Sequence, residues 1–325
     1  MSDCKPKCSQ HYSGIGGQAV LEGVMMRNGI HYATAVRKPD GTVVAEPMEY
    51  HGILEDSVLK TTPFVRGIFV FIDSLILGMK CINYSAEIYA EDEEEGSGTG
   101  EQKEKEGKLE KVLSAAVTVL AFALAIGLFF VLPYFISSFL GRWIHSHFLL
   151  AVAEGLIRIT IFILYISGIS LMEDIKRLYR YHGAEHKCIN CIESGLPLTV
   201  ENARRSTRFH KRCGSSFIIF VMMVSIVLFF FIRVDSPLMK VGLRILLIPV
   251  ISGISFELIR LAGSSDNPII NLVSKPGIWL QHLTTSEPDD SMLEVAIASV
   301  EAVFDWRTYL KEEFGVNTSA QSASA

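Results

Sequence analysis

Long apolar runs alternate along this chain with short segments of mixed polarity. Four runs are long enough for membrane helices: Val112–Ile136, uncharged; Phe148–Met172, containing Glu154 and Arg158; Gly214–Ile232, uncharged; and Val241–Ile259, interrupted by Arg244 and Glu257. A helix needs roughly 17–20 such residues to cross the hydrocarbon core. Ahead of them, Ile68, Phe71, Ile72, Leu75, Ile76 and Met79 mark one broad face of a helix over Phe64–Ala86. Arg66, Asp73 and Lys80 interrupt it, which predicts a helix lying at the membrane surface or packed on the bundle. His31–Arg37 and Thr42–Pro47 are extended runs around Lys38-Pro39-Asp40-Gly41, which predicts a β-hairpin. Near the C-terminus Leu293, Ala296, Ile297, Val300, Val303 and Phe304 form one helical face. Thr285 or Ser286 is the expected cap, with Pro288, Asp289 and Asp290 in the first turn.

The predicted fold is therefore mainly α: a polytopic helical membrane protein of about four spans, with a small N-terminal β-hairpin unit and amphipathic surface helices. Its expected divisions are a flexible start (1–16), the hairpin unit (17–60), an amphipathic helix (61–90), a flexible acidic linker (91–110), the spans (111–260) and a helical tail (261–325).

Composition agrees: 49% of the 325 residues are hydrophobic and the mean hydropathy is +0.33. The net charge of −5 comes from one stretch, since residues 87–110 hold 10 acidic and 3 basic side chains. No basic patch with interleaved aromatics appears, which argues against a nucleic-acid partner. The start has no continuous apolar run, so no cleavable signal peptide is expected. Loop charge sets the topology. The connection 173–213 has nine Lys/Arg, whereas 137–147 has one and 233–240 has two. The basic loop should face the cytoplasm, together with both termini, in a cell-membrane protein.

That loop also carries the chemistry. His182-Gly183-Ala184-Glu185-His186 places two imidazoles four apart on one helical face, with a carboxylate beside them, and His210 and Cys213 follow. H-x-x-E-H is the inverted zinc-hydrolase pattern. In a first reading His182 and His186 bind zinc or a similar divalent metal, His210 or Cys213 is the third ligand, and Glu185 is the general base. In a second, Cys188, Cys191, His210 and Cys213 form a closed structural site. In a third, all are ordinary polar residues. If His186 and Cys213 bind one metal, the helix must bend after Met172 and lie along the membrane, its basic side chains near the headgroups, because Cys213 directly precedes the third run. Cys4, Cys8 and His11 have a faint metal-like spacing that a disordered tail explains better. Glu154 and Arg158 are read as an intramembrane pair, Arg244 as snorkelling, and Glu257 as an outside candidate for the cytoplasmic site. The glycine-dense Gly16–Arg27 stretch, with Gln18, Glu22 and Arg27, suits either close ligand approach or turns around a buried strand.

These motifs resemble one family. Gly16–Arg27, Arg66-Gly67, Tyr181–Lys187, Arg212–Phe217 and Leu283–Asp290 together are similar to the YqhQ family, over most of residues 14–305. Its members are bacterial membrane proteins of unknown function, described as candidate metal-dependent enzymes. The resemblance implies a membrane location and joint action of His182, Glu185, His186, His210 and Cys213. Cys188 and Cys191 fall outside the pattern, which favours the histidine-centred reading, and Gln18–Arg27 becomes a possible second wall. The leading expectation is a hydrolase at the membrane surface acting on a membrane-proximal or lipid-linked substrate. The alternatives are a non-catalytic scaffold held by a structural metal and, third, a transporter using Glu154, Arg158 and Glu257.

Overall fold

The computed structural model describes residues 11–53, 57–90, 113, 116–232, 234, 236–264 and 267–316. The expected linker and the Cys4/Cys8 spacing lie outside them. The N-terminal unit is larger than one hairpin. Strands β1 (Gly16–Val20), β2 (Gly23–Asn28), β3 (His31–Arg37) and β4 (Val43–Glu49) form an antiparallel meander in chain order. The glycine-dense segment is thus its first hairpin, with Gln18 paired to Met25 and Gly16 to Arg27. The sheet is covered on both faces, as the period-2 alternation of side chains allows. Val24, Met26 and Ala35 enter the main core, while Met25 and Tyr32 pack with Leu77 and Cys81 of helix α1 (Val65–Ala90).

Three helical segments among the described residues are long and apolar enough to cross a membrane: α2 (Ala116–Leu140), α3 (His147–Ile169) and Leu238–Gly263. The last comprises α7 (Pro237–Leu246) and α8 (Ile248–Ser264). The expectation of four is corrected. The run beginning at Gly214 folds as α6 (Gly214–Phe230), 17 residues, shorter than the other three and at the lower edge of the length a crossing needs, because Cys213 caps its start and the chain leaves the helix at Phe231.

Between α3 and α6 lie α4 (Glu173–Glu193) and the short α5 (Val200–Arg205). The predicted bend is present: α3 ends at Ile169, and Met172 is extended with ψ 135°. The helix after it is not a surface helix, however. From Gly183 through Glu193 it is buried, with the sheet on one side and α10 (Asp290–Val303) on another. Its basic side chains meet acids of the protein: Arg177 pairs with Glu22, and Arg180 with Asp289 at 2.8 Å.

Helix α9 (Pro268–Thr284) leads to α10, and α11 (Trp306–Phe314) closes the described chain. The cap of α10 is Asp289, which accepts from the Met292 amide at 3.0 Å. Thr285 and Ser286 do not cap it, because both are engaged elsewhere: the Thr285 hydroxyl donates to the Gln281 carbonyl, and the Ser286 amide to the Tyr179 carbonyl. Ser299 of α10 donates to the carbonyl of Ala33 in β3 at 2.9 Å, so the two ends of the described chain share one body.

Two intramembrane expectations also change. Glu154 does pair with Arg158, at 3.1 Å, but Arg244 joins them and is 3% exposed rather than snorkelling. It is held there by Glu154 and by the rings of Tyr134 and Phe229. Glu257 is engaged by Arg66 of α1 and the Phe64 amide, so it does not reach the loop site.

Candidate metal centre

The helical spacing does bring the imidazoles together. His182 and His186 sit one turn apart on α4 with ring centroids 4.5 Å apart. Cys213, the cap of α6, points its sulfur at them, 3.1 Å from His182 Nε2. One ligand atom from each of His182, His186 and Cys213 lies within 4.8 Å of the others. The two rings are oriented from behind. Nδ1 of His182 donates to the Thr284 carbonyl at 2.9 Å, and Nδ1 of His186 to the Arg208 carbonyl at 2.6 Å. Carbonyls only accept, so both Nδ1 atoms carry hydrogen and both Nε2 atoms face the shared point, that of His182 in hydrogen-bond contact with the Cys213 sulfur. Nε2 of His186 is buried with no hydrogen-bond partner.

A buried polar atom without a partner is costly, and a cation at the shared point would satisfy it. Two imidazole nitrogens and one thiolate suit a borderline-soft divalent ion such as zinc. The electrostatics favour the thiolate. Burial alone would raise the Cys213 pKa, but the two imidazoles outweigh it and hold the thiol well below its ordinary 9.0. Burial likewise opposes charge on His182, yet the neighbouring sulfur, with help from Glu185, pushes its pKa up to about 9.

Glu185 lies one step round the helix, its carboxylate 3.9 Å from His182 Nε2. It lines a cavity of about 600 Å³ together with His182, Cys213, Gln18 and Arg27. Gly17 makes room for it: a Cβ there would sit 2.7 Å from Glu185 Cγ and 2.8 Å from the Met25 carbonyl oxygen. Two of the three residues expected to form a second wall therefore do line the cavity. Glu22 does not. It stands in the β1–β2 turn with φ 49° and binds Arg177 and the Tyr181 hydroxyl.

His210 also lines the cavity but stands apart from the triad. Its ring faces Glu193 at 3.5 Å, and its backbone is clamped by Gln281, which accepts from its amide and donates to its carbonyl. Between His210 and Cys213 as third ligand, the geometry selects Cys213. The closed cysteine site is not formed. Cys188 and Cys191 are fully buried in the apolar core with Ile189, Ile192 and Leu293, and the Cys191 thiol donates toward the Pro197 carbonyl. Burial pushes both thiols up, away from the thiolate form a metal needs.

The residues missed in the sequence are those acting through backbone atoms. Thr284 and Arg208 give carbonyls, which leave no side-chain signature. Gly183 admits the Ser286 carbonyl, whose oxygen would lie 2.0 Å from a Cβ at that position. That glycine, inside an otherwise helical run, was the one available signal.

Comparison with known proteins agrees with the motifs. No solved structure matches the chain. The "Uncharacterized protein YqhQ" of Bacillus subtilis (strain 168) is 41% identical over 289 residues, covering 87% of this chain and 90% of that protein. A family model described as "Protein of unknown function (DUF1385)" matches residues 62–306, a span that includes the whole His/His/Cys cluster. The chain belongs to this family, to which the YqhQ resemblance already pointed.

Proposed function

We propose that this protein is a metal-dependent hydrolase working at the membrane surface. His182, His186 and Cys213 hold a divalent cation of the zinc class, and Glu185 is the general base. The observation that carries this reading is the pair of carbonyl-anchored imidazoles, which leaves a buried, unpartnered His186 Nε2 beside Cys213. A cation held there supplies Lewis acidity toward a substrate oxygen. Glu185 accepts the proton of an attacking water in the cavity and later returns it to the leaving group. Gln18 and Arg27 bind and orient the substrate from the sheet side.

The cavity supports a lipid-linked or membrane-proximal substrate. Its lining runs from the sheet to Ser74 and Leu77 of α1 and to Gly214 and Ser215 at the start of the apolar α6. A molecule anchored among the apolar helices could enter there with its polar part leading. The basic loop 173–213 supports a cytoplasmic site in the cell membrane. The sheet and α10, packed together, belong on that same side, which the chain regains because the short apolar α6 crosses beside the three longer helices. One observation favours a structural, non-catalytic metal in a scaffold instead: His186 does not line the cavity.

The test is incubation of zinc-loaded protein with a bacterial lipid extract, followed by mass spectrometry of the products. The hydrolase reading expects product formation that is lost in Glu185→Gln while the metal content is kept. A metal-loaded protein that yields no product from any lipid fraction, or one indifferent to Glu185→Gln, would leave the scaffold.

A further inference from the structure

A second charged site lies at the other end of the bundle. Along α6, Phe229 is 16 residues from Cys213, about 24 Å away at 1.5 Å per residue. There Glu154 and Arg158 of α3 meet Arg244 of α7. The Glu154 carboxylate takes both guanidinium groups, Arg158 at 3.1 Å and Arg244 at 2.8 Å, and Arg158 also donates to the Ser225 hydroxyl at 2.7 Å.

The charges do not balance. Two guanidinium groups against one carboxylate leave a net charge of +1, with Arg158 and Arg244 each 3% exposed and Glu154 9%. Guanidinium keeps its proton, so the group cannot neutralise itself as a buried lysine would. Among the described residues no second carboxylate pairs with either arginine. Lys240 lies over the Tyr134 ring, as Arg244 does, and only adds positive charge. Phe229 faces both guanidinium groups and Phe130 faces Arg158, but ring quadrupoles offset a buried charge only in part. The Nε–H groups of both arginines are buried without an acceptor.

Beside them is a cavity of about 20 Å³, lined by Glu154, Gly155, Arg158, Ile226, Phe229 and Arg244 among others. That is room for one water-sized species. A water there could accept from the guanidinium groups and donate to Glu154, but it would leave the surplus positive charge unbalanced, which an anion would not. A carboxylate or phosphate group is too large for it. We propose that this cavity binds one small monovalent anion, chloride in the cell, which completes the charge of the Glu154–Arg158–Arg244 cluster and ties α3, α6 and α7 together.

The experiment uses the full chain purified in detergent. Chloride replaces gluconate at constant ionic strength while the melting temperature and the ³⁵Cl NMR line width are followed. Expected is a saturable rise of a few degrees between about 1 and 100 mM chloride, with bromide acting alike and a line broadening that bromide competes away. Glu154→Gln raises the surplus charge and should tighten binding, whereas Arg244→Gln removes the surplus and should abolish the response. A wild-type melting temperature and line width indifferent to halide would mean the cavity holds water and would overturn the proposal, whether or not the variants fold. A halide response of equal size in Arg244→Gln would overturn it too, by placing the effect elsewhere.

Discussion

Gly17 and Glu185 occupy a space that leaves no room for a Cβ. In Gly17→Ala the new methyl meets the Glu185 side chain and the Met25 carbonyl together, so it should destabilise by about 1–3 kcal/mol, read as a lowered melting temperature. Gly183→Ala should cost more, since its obstacle is the backbone oxygen of Ser286, next to the Thr284–Thr285 segment that orients His182. Equal melting temperatures for both variants and wild type would mean that the packing described between α4 and its neighbours is wrong. At this scale the candidate ligands were legible because helical periodicity alone puts His182 and His186 on one face, and Cys213 stands next to the apolar run that fixes its place. The cysteine pair misled because Cys-x2-Cys on a buried helix face packs as two small apolar side chains, and spacing does not distinguish that from ligation.

Helix α10 shows what an element's start contributes. Asp289 accepts from Met292 and Ser291 and pairs with Arg180. Burial alone would raise its pKa, but those bonds and the nearby Arg180 and Arg177 outweigh it and hold the carboxyl below its ordinary 3.8. A carboxyl lowered on folding stabilises above its unfolded pKa, and that contribution disappears as pH falls through the lower folded value. Asp289→Ala should therefore cost about 1 kcal/mol at neutral pH and progressively less below about pH 4, in paired denaturation curves across pH. A penalty independent of pH would point to lost packing instead. The helix was legible from its apolar face, but its cap was not: the Thr-Thr-Ser-Glu-Pro-Asp-Asp run offers several capping side chains, and only the docking of Ser286 against Tyr179 excludes the earlier ones. The bend after Met172 was legible from a geometric requirement, that one metal join residues near the bilayer and residues a helix beyond it. The burial of α4 was not, because its covering strands and α10 lie roughly a hundred residues or more away in sequence.

For the whole molecule, the apolar runs revealed a mainly helical chain with helices long enough to cross a membrane, while the number of long ones depended on where each helix ends, as the end of α6 at Phe230 decides. The proposed topology is checked by labelling intact cells with a membrane-impermeant maleimide. Ser146→Cys, just before α3, should label from outside, and Glu201→Cys, in the basic loop, only after permeabilisation. The reverse pattern would put the His/His/Cys centre outside the cell. The central claim is that this centre holds a metal, and its most direct test is metal content per chain of purified protein, in wild type and in His186→Ala, Cys213→Ala, Cys188→Ala and Glu185→Gln. The account predicts about one divalent ion per chain in wild type, Cys188→Ala and Glu185→Gln, with loss in His186→Ala and Cys213→Ala. No metal in wild type after reconstitution with zinc, or retention in His186→Ala with loss in Cys188→Ala, would contradict it.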